Sequence, residues 1–284
     1  MAKKNSKAID QAIAGLEKRF SEPLVMKMNE DPDLNIDRVS SGRLDLDKAL
    51  GGGYPIGKII ELYSEEGCGK SGLALELVRE VQKMGGTAAY IDSEHALNTE
   101  YAESIGVKVD DLYISQPSWG EQAFEVTRAL INTSEVDLIV IDSVSAMVPK
   151  AELEGESGES KIALQARMMS QGMKMIVGTA STAGCTILFI NQLRDKINAY
   201  HPSKGTTGGN SLKFYATVRI EIKKKGWIKE GEEVIGFKQE VKTVKNKTFP
   251  PFKKIENDII YGKGVDSITS LVETAVEAGV ILKK

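Results

Sequence analysis

Short apolar runs alternate with longer amphipathic segments between residues 58 and 191, and this alternation is the feature that most constrains the fold. Strands that alternate with helices form a parallel sheet with helices packed on its faces. The predicted strands are Lys58–Tyr63, Ala88–Asp92, Leu112–Ser115, Asp137–Asp142 and Thr186–Asn191, and the predicted helices span 71–84, 121–133 and 161–180. In such a sheet, ligands bind beyond the carboxyl ends of the strands. Functional residues are therefore expected where polar side chains follow a strand.

The pattern changes on both sides of this region. Beyond residue 214 there are consecutive predicted strands and then one predicted helix: Ala216–Ile222, Phe237–Val244, Lys254–Tyr261 and 267–278. Residues 6–20 predict an amphipathic helix, because apolar residues recur at helical spacing on one face: Ile9, Ile13, Leu16 and Phe20. That face can pack on its own domain, which the pattern alone favours, or on a neighbouring subunit.

Composition argues against several classes of protein. No apolar run approaches the roughly 18 residues that a membrane-spanning helix needs. The two cysteines, Cys68 and Cys185, are far apart in sequence and do not suggest a disulfide framework, which favours a reducing cytoplasm. The formal net charge of −3, taken over the whole chain, argues against a nucleic-acid partner.

One loop between a predicted strand and a predicted helix has the character of a phosphate-binding loop: Ser64, Glu65, Glu66, Gly67, Cys68, Gly69, Lys70 and Ser71. It matches the pattern G-x-x-x-x-G-K-[ST], except that Ser64 replaces the first glycine. In this pattern Lys70 neutralises the β and γ phosphates, and the hydroxyl of Ser71 ligates Mg²⁺. A chance G-K-S at a helix start is the alternative, which the strand–loop–helix context disfavours. We therefore predict that these eight residues bind ATP with Mg²⁺.

Polar side chains also follow three other predicted strands. Asp142 ends a strand too apolar to lie at an edge, where an aspartate that orients Mg²⁺ is usually found; a surface turn is the alternative. Glu94 lies just beyond the strand ending at Asp92 and is the better candidate to orient the water that attacks ATP. The amide of Gln192, at the end of the last strand, can sense the γ-phosphate. Together these strand ends predict an ATPase.

Several longer stretches make the chain similar to a known family. They are AYIDSEHALN, GEQA, VIDSVSAMVPKAELEGE, ARMMSQ, FINQLR, TTGGNSLKFYA and VKNK, and several are not general features of phosphate-binding loops. On these motifs, residues 38–265 resemble the RecA family of bacterial recombinases. The resemblance implies a DNA-dependent ATPase of recombination and repair. Such a protein forms helical filaments on single-stranded DNA with ATP and pairs that strand with homologous double-stranded DNA.

The resemblance also implies roles within the nucleotide site. Lys70 and Ser71 fall on the family's phosphate and Mg²⁺ positions, and Asp142 falls on its second-motif aspartate. Glu94 falls on the catalytic glutamate, and Gln192 on the glutamine that couples the γ-phosphate to a DNA-binding loop.

Four further residues match positions that surround the nucleotide in the family. Tyr101 and Tyr261 match tyrosines that flank the adenine. Lys245 and Lys247 match catalytic lysines that reach the ATP of the next subunit, so that the active site is completed only in a filament. Without the resemblance, a solvated strand is the favoured interpretation of these lysines.

Two DNA-binding loops of the family map to 154–162 and 194–211. The first is acidic, and charge alone would indicate a solvated loop. The second is rich in glycine, which lets backbone N–H groups approach phosphates regardless of base; a flexible linker is the alternative. The predicted DNA-binding residues are Ile162, Arg167, Ser170, Lys174, Arg194, Ile197, Gly208, Gly209 and Asn210, of which Ile162 and Ile197 are candidates to insert between bases.

The predicted fold is α/β, a P-loop ATPase core with a mainly parallel central sheet flanked by helices. Residues 1–37 are predicted to be a helical arm for polymerisation, 38–265 the ATPase core, and 266–284 a helix that remains of the family's C-terminal domain. The chain therefore resembles a short or divergent member. Two other functions remain open at this level: a ring-forming helicase-type motor, and an ATP-gated coat on single-stranded DNA without hydrolysis, which Ser64 suggests.

The local distribution of charge qualifies the acidic average. Residues 219–254 contain eleven Lys or Arg and five Glu, a local charge of +6 that leaves −9 for the remainder. The few charged residues among the predicted DNA contacts have little effect on the net charge of the whole chain. We therefore expect DNA affinity to depend on ATP-driven assembly and to fall with salt.

Overall fold

The structure is a computed structural model that describes residues 6–21, 24–25, 27, 36–155, 161–195, 204–265, 271–272, 274–276 and 279–282. The chain divides into two units, Met1–Asp37 and Arg38–Lys284. In the first unit, helix α1 spans Ser6–Phe20, in agreement with the prediction, and its apolar side chains Ile9, Leu16 and Phe20 are exposed. The assignment of this unit to polymerisation stays a prediction.

The second unit is built on one large twisted sheet, which confirms the predicted fold class. Its strands are β3 Ile59–Ser64, β4 Ala88–Asp92, β5 Leu112–Ser115, β6 Leu138–Asp142, β7 Thr186–Asp195, β8 Lys204–Thr206, β9 Val218–Glu230, β10 Glu233–Asn246, β11 Lys254–Ile260 and β12 Gly264–Val265. The strand order is β12-β11-β10-β9-β3-β7-β6-β4-β5, and β8 pairs with β7. The strands from β9 to β5 in this order run parallel, whereas β10, β11 and β12 continue the sheet antiparallel. A separate two-stranded sheet joins β1 Arg38–Val39 to β2 Tyr54–Pro55.

Helices cover both faces of the parallel strands. They are α2 Leu44–Leu50, α3 Lys70–Lys83, α4 Thr99–Ser104, α5 Gly120–Ile131, α6 Lys150–Leu153, α7 Lys161–Thr182 and α8 Ser211–Tyr215. Alternation along β6 divides the core: Leu138 and Val140 pack with α3, while Ile139 and Ile141 pack with α5 and α7. Burial on both faces explains why such strands read as continuous apolar runs.

Most predicted elements agree with the structure, and the largest difference is the β9–β10 hairpin. Its strands were predicted at 216–222 and 237–244 but extend to a turn at Gly231, whose φ is 63°. The extra residues are rich in Lys and Glu, so they lack the apolar alternation that marks a half-buried strand. The short elements α2, α4, α6 and α8 were missed because they are too brief for a periodic pattern.

Two further sequence predictions concern the ends of the fold. Most of the predicted helix 267–278 lies outside the described residues, although 271–272 and 274–276 are helical. Among the helices that the structure describes, none combines the length and apolar character needed to cross a bilayer.

Candidate functional site

The phosphate-binding loop connects the end of β3 to the start of α3. Gly67 and Gly69 have φ values of 64° and 86°, a backbone region that side chains with a Cβ adopt only with strain. Ser64, in contrast, is the last residue of an extended strand. A serine therefore fits at the position of the missing first glycine without backbone strain.

Lys70 is buried at the first turn of α3, and its ammonium group contacts the loop. Its Nζ donates hydrogen bonds to Ser64 Oγ and to the carbonyl oxygen of Glu65, each at 2.9 Å. Burial lowers the pKa of Lys70. An ammonium that is partly desolvated interacts more strongly with a phosphate than an exposed one does.

Ser71 and Asp142 meet across the loop and the tip of β6. Ser71 Oγ donates to Asp142 Oδ2 at 2.9 Å, and Tyr90 OH donates to the same oxygen at 2.6 Å. Burial raises the pKa of Asp142, while these two hydrogen bonds lower it. β6 lies between β4 and β7, which confirms that its strand is not an edge.

A hydroxyl and one carboxylate are the kind of oxygen donors that Mg²⁺ uses together with phosphate oxygens and water. Clusters of three or more His, Cys, Asp or Glu side chains at ligand spacing do not occur in the described part of the chain. Ser71 and Asp142 therefore fit a phosphate-bound Mg²⁺ and do not form a complete protein cage.

Glu94 is exposed at the edge where β6 and β7 end, and two donors hold it there. The hydroxyl of Ser143 donates to Glu94 Oε1, and Gln192 Nε2 donates to the same oxygen at 2.9 Å. Sequence reasoning missed Ser143, although its position directly after Asp142 at a strand end was a usable signal. The carboxylate thus has a fixed orientation with its second oxygen left for another donor.

The tip of β7 connects this carboxylate to a second region. Gln192 Oε1 accepts a hydrogen bond from Arg194 Nη2 at 3.2 Å. Asn191 Nδ2 donates to the carbonyl oxygen of Thr207 at 3.2 Å, and the Thr207 hydroxyl donates to Asn191 Oδ1 at 2.7 Å. Asn191 therefore joins the tip of β7 to the residues after β8, and Gln192 joins Glu94 to Arg194.

The phosphate-binding loop, Glu94, Asp142 and Gln192 line one cleft of about 560 Å³. Of the residues predicted to bind nucleotide, those in its wall are Glu66, Gly67, Cys68, Gly69, Lys70, Ser71, Glu94, Tyr101, Asp142, Gln192 and Tyr261. Ser64 and Glu65, both described, are absent from this lining because Ser64 is buried beneath the loop and Glu65 turns toward Lys204. The residues predicted to bind nucleotide are therefore brought together, apart from these two.

An apolar wall closes the other side of the cleft. Tyr261 packs against Phe237 with ring centroids 6.2 Å apart, and the hydroxyl of Tyr101 lies against Gly72, where a Cβ would come within 2.8 Å of it. Ile259 and Ile260 complete the wall. Phe237 was missed, because a single aromatic residue within a strand carries no signal of the cleft that it will face.

A second cleft, of about 850 Å³, lies beside the root of the glycine-rich loop. The predicted DNA-binding residues that line it are Ile162, Arg194, Gly208, Gly209 and Asn210. Gln165 also lines this cleft and was not predicted from the sequence. Its Nε2 donates to the Val144 carbonyl at 3.0 Å, and its Oε1 accepts from the backbone N–H of Gly208 at 3.2 Å.

The other predicted DNA-binding residues are placed differently. Arg167, Ser170 and Lys174 lie on α7. None of these three described residues lines this cleft. Arg167 and Lys174 are exposed, and Ser170 is half-buried. Ile197 lies outside the described residues, so its assignment stays a prediction.

Lys245 and Lys247 lie at the end of β10 and, within the described residues, line neither cleft. Lys245 Nζ donates to the carbonyl oxygens of Lys213 and Phe214 at 2.7 and 3.0 Å. Burial lowers the pKa of Lys245, and the neighbouring charge of Lys247 lowers it further. These lysines are therefore not part of the nucleotide cleft of their own chain.

Comparisons with known proteins give one family. A family model described as the RecA N-terminal domain matches residues 7–266. Protein RecA of Synechococcus elongatus is 47% identical over 285 residues, covering all of this chain and 80% of that protein. Protein RecA of Chloroherpeton thalassium is 48% identical over 279 residues, or 98% and 78% of the two chains. Protein RecA of Geobacter sulfurreducens is 48% identical over 286 residues, or 100% and 85%.

Proposed function

The chain belongs to the RecA family, and from that premise we propose how its own residues carry out the chemistry of a recombinase. It is a recombination and repair protein and a DNA-dependent, nucleotide-binding ATPase. Similarity over the whole chain does not favour the ring motor or the non-hydrolysing coat. The observation that carries the residue-level proposal is the convergence of Lys70, Ser71, Asp142, Glu94 and Gln192 on one cleft.

ATP is the proposed ligand of this cleft. Its phosphates would lie on the loop at 64–71, where glycine backbone and the start of α3 offer N–H groups to an anion. Its adenine would lie between Tyr101 and Tyr261, against the apolar surface of Phe237 and Ile259. Ser64 and Glu65 would act from behind the loop, because Ser64 contacts Lys70 and not the cleft.

Ser71 and Asp142 would hold Mg²⁺ with the phosphates, because their oxygens lie 2.9 Å apart at the loop. The ion, when bound, neutralises charge on the phosphate oxygens. Lys70 would exchange its hydrogen bonds to Ser64 and Glu65 for bonds to the β and γ phosphates.

Glu94 would orient the attacking water. Ser143 and Gln192 both donate to one carboxylate oxygen, which leaves the other oxygen to accept a hydrogen bond from that water. The water oxygen attacks the γ-phosphorus, the bond from that phosphorus to the leaving oxygen of ADP breaks, and the carboxylate accepts the proton of the water. The products are ADP and phosphate.

Gln192 would couple hydrolysis to DNA. Its amide contacts Glu94 on one side and Arg194 on the other. A γ-phosphate that attracts this amide therefore changes the position of Arg194, which lines the second cleft.

Single-stranded DNA is the proposed ligand of the second cleft. Arg194 offers a cation, Gly209 and Asn210 offer backbone and amide donors, and Ile162 offers an exposed apolar side chain. Gly208 lines the same cleft, with its N–H bonded to Gln165. Contacts of this kind bind the DNA backbone without preference for base sequence. Arg167, Ser170 and Lys174 on α7 would extend the contact surface.

Assembly is the proposed source of the remaining catalytic groups. Lys245 and Lys247 would act on the ATP of the next subunit in a helical filament, since they are remote from their own cleft. Cations delivered across an interface stabilise the transferring phosphate. Pairing with homologous double-stranded DNA would follow in the same filament, and the cytoplasmic location stays a prediction.

Two measurements test this proposal. The wild-type chain should hydrolyse ATP faster when single-stranded DNA is added, and Lys70→Ala should abolish hydrolysis. Strand exchange between single-stranded DNA and a homologous duplex should require ATP. Turnover that is indifferent to DNA, or closed hexamers in electron micrographs in place of helical filaments, would contradict the proposal.

A further inference from the structure

One face of the antiparallel strand β10 packs against the phosphate-binding loop. Phe237 and Gln239, two positions apart, point to this side of the strand. A Cβ at Gly69 would lie 2.7 Å from Gln239 Nε2 and 3.6 Å from the Phe237 ring. The loop is thus held between the parallel sheet that carries it and a strand that follows it by some 170 positions.

Gln239 makes a specific hydrogen bond to the loop. Its side chain is 1% exposed, and its Nε2 donates to the carbonyl oxygen of Cys68 at 2.7 Å. This oxygen belongs to the peptide that joins Cys68 to Gly69. The peptide is planar and trans, so its C=O and N–H point in opposite directions. Holding the carbonyl against β10 therefore turns the N–H of Gly69 away from β10.

A β-bulge lies at the same position of the hairpin. In the pairing of β9 with β10, Lys238 faces Gly226 and Gln239 faces Lys224, so Lys225 is an extra residue in β9. Bulges locally increase the twist of a strand and re-aim side chains near functional sites. Here the bulged strand is β9, whereas β10 keeps its regular alternation from Phe237 to Gln239.

Two charged side chains lie beside the amide of Gln239. Arg43 and Glu76 line a small cavity of about 20 Å³ with Gln239, which is room for one water molecule. Arg43 Nη1 and Glu76 Oε2 are 4.0 Å apart, too far for a hydrogen bond. Within the described residues, Gln239 Oε1, Glu76 Oε2 and the Nε and Nη1 of Arg43 have no hydrogen-bond partner. The Cys68 carbonyl only accepts, so the donor end of the amide belongs on its side and the acceptor end on the other.

We propose that Gln239 is a positioning residue for the phosphate-binding loop, which it orients by donating to the Cys68 carbonyl. It touches the loop and not the nucleotide. The inference rests on the proposed function, because it assumes that the loop binds ATP. It adds a contribution of the antiparallel hairpin to a site otherwise built at the ends of parallel strands.

Gln239→Met tests the donor, because methionine is similar in length but cannot donate. We expect ATP affinity, measured by calorimetry on the full chain with Mg²⁺, to fall by about two- to ten-fold, the effect of one lost hydrogen bond. Hydrogen exchange at the amides of 65–70 should become faster in the same variant. Gln82→Met is the matched control: Gln82 is also buried, and its Nε2 donates to the Lys108 carbonyl at 2.9 Å, at the opposite end of α3. It should leave ATP affinity unchanged.

Gln239→Glu gives a pH profile that a purely structural role would not produce. The introduced carboxyl group can donate to the Cys68 carbonyl when protonated and cannot when ionised. Its affinity for ATP relative to wild type at the same pH should approach one at low pH and fall as pH rises. Arg43 and Glu76, the charged groups beside it, shift the pKa of the introduced carboxyl in opposite directions, so they set the pH at which the ratio falls and not the direction of the change.

The outcomes separate the two levels of the proposal. A wild-type chain that fails to bind ATP overturns the proposed function. If wild type binds ATP and Gln239→Met binds it equally well, or if the affinity ratio of Gln239→Glu does not change with pH, the role of Gln239 is wrong. Should Gln239→Met fail to fold, the pH profile of Gln239→Glu decides alone.

Discussion

Lys70 donates a 2.9 Å hydrogen bond to the hydroxyl of Ser64, the residue that replaces the first glycine of the phosphate-binding loop. The same ammonium also donates to the carbonyl of Glu65. The ammonium has three N–H donors, and these two acceptors compete with phosphate for two of them. Ser64 therefore stabilises the nucleotide-free arrangement of the loop, and the departure from the usual pattern has a measurable consequence.

Ser64→Gly should tighten ATP binding several-fold, because it removes one acceptor that competes with phosphate for a charged donor. Ser64→Ala is the control that removes the hydroxyl without adding backbone freedom, and it should act in the same direction. Calorimetric titration of the full chain with ATP and Mg²⁺ measures both. Weaker binding in both variants would mean that the hydroxyl supports the nucleotide-bound loop.

Asp142→Asn should stabilise the nucleotide-free protein at neutral pH while weakening Mg²⁺-dependent ATP binding. Burial raises the pKa of Asp142, so its ionised form is less stable in the fold than in the unfolded chain. Asparagine removes this cost and can still accept from Tyr90 and Ser71. Below the ordinary aspartate pKa of about 3.9, the carboxyl is protonated in both states and the gain should vanish.

Thermal unfolding of the Asp142→Asn variant and of wild type across pH 4 to 8 tests this sign. The difference in unfolding temperature should grow as pH rises. A difference that shrinks with rising pH would show that the ionised carboxylate stabilises the empty site.

Glu94→Gln should still bind ATP and form filaments on DNA but hydrolyse ATP about 10²- to 10⁴-fold more slowly, the usual contribution of a positioned base. Ser143→Ala should reduce the rate less, by about tenfold, since it removes one donor to that carboxylate and leaves Gln192 in place. Steady-state phosphate release with single-stranded DNA gives both rates. Loss of ATP binding in Glu94→Gln would make Glu94 structural.

The strand ends were the part of the site that sequence could predict. Asp142, Glu94 and Gln192 follow apolar strands, and parallel strands bring their carboxyl ends to one edge of the sheet. Gln239 and Phe237 reach the same cleft from an antiparallel hairpin. Their contacts depend on how that hairpin folds back over the loop, and a pairing between positions as distant as Cys68 and Gln239 leaves no local pattern.

The length of the β9–β10 hairpin escaped prediction for a related reason. In the outer part of β9 one face is exposed and the other is only half-buried, so strand pairing more than burial determines its residues. Lysines and glutamates fit such a ribbon as well as they fit a loop. Alternation of apolar and polar residues reflects burial, so it gives no signal where a strand buries few side chains.

Mixing two inactive variants tests whether Lys245 and Lys247 act on the ATP of the next subunit. Lys70→Ala removes a group that acts in its own cleft, whereas Lys245→Ala combined with Lys247→Ala removes groups proposed to act on the next subunit. Each protein alone should hydrolyse little ATP. When the two are mixed with single-stranded DNA, some interfaces join the intact cleft of the double lysine variant to the intact Lys245 and Lys247 of Lys70→Ala. Hydrolysis should therefore partly return. If Lys245 and Lys247 acted within their own chain, no mixed interface would be complete, and the mixture would stay as inactive as its components.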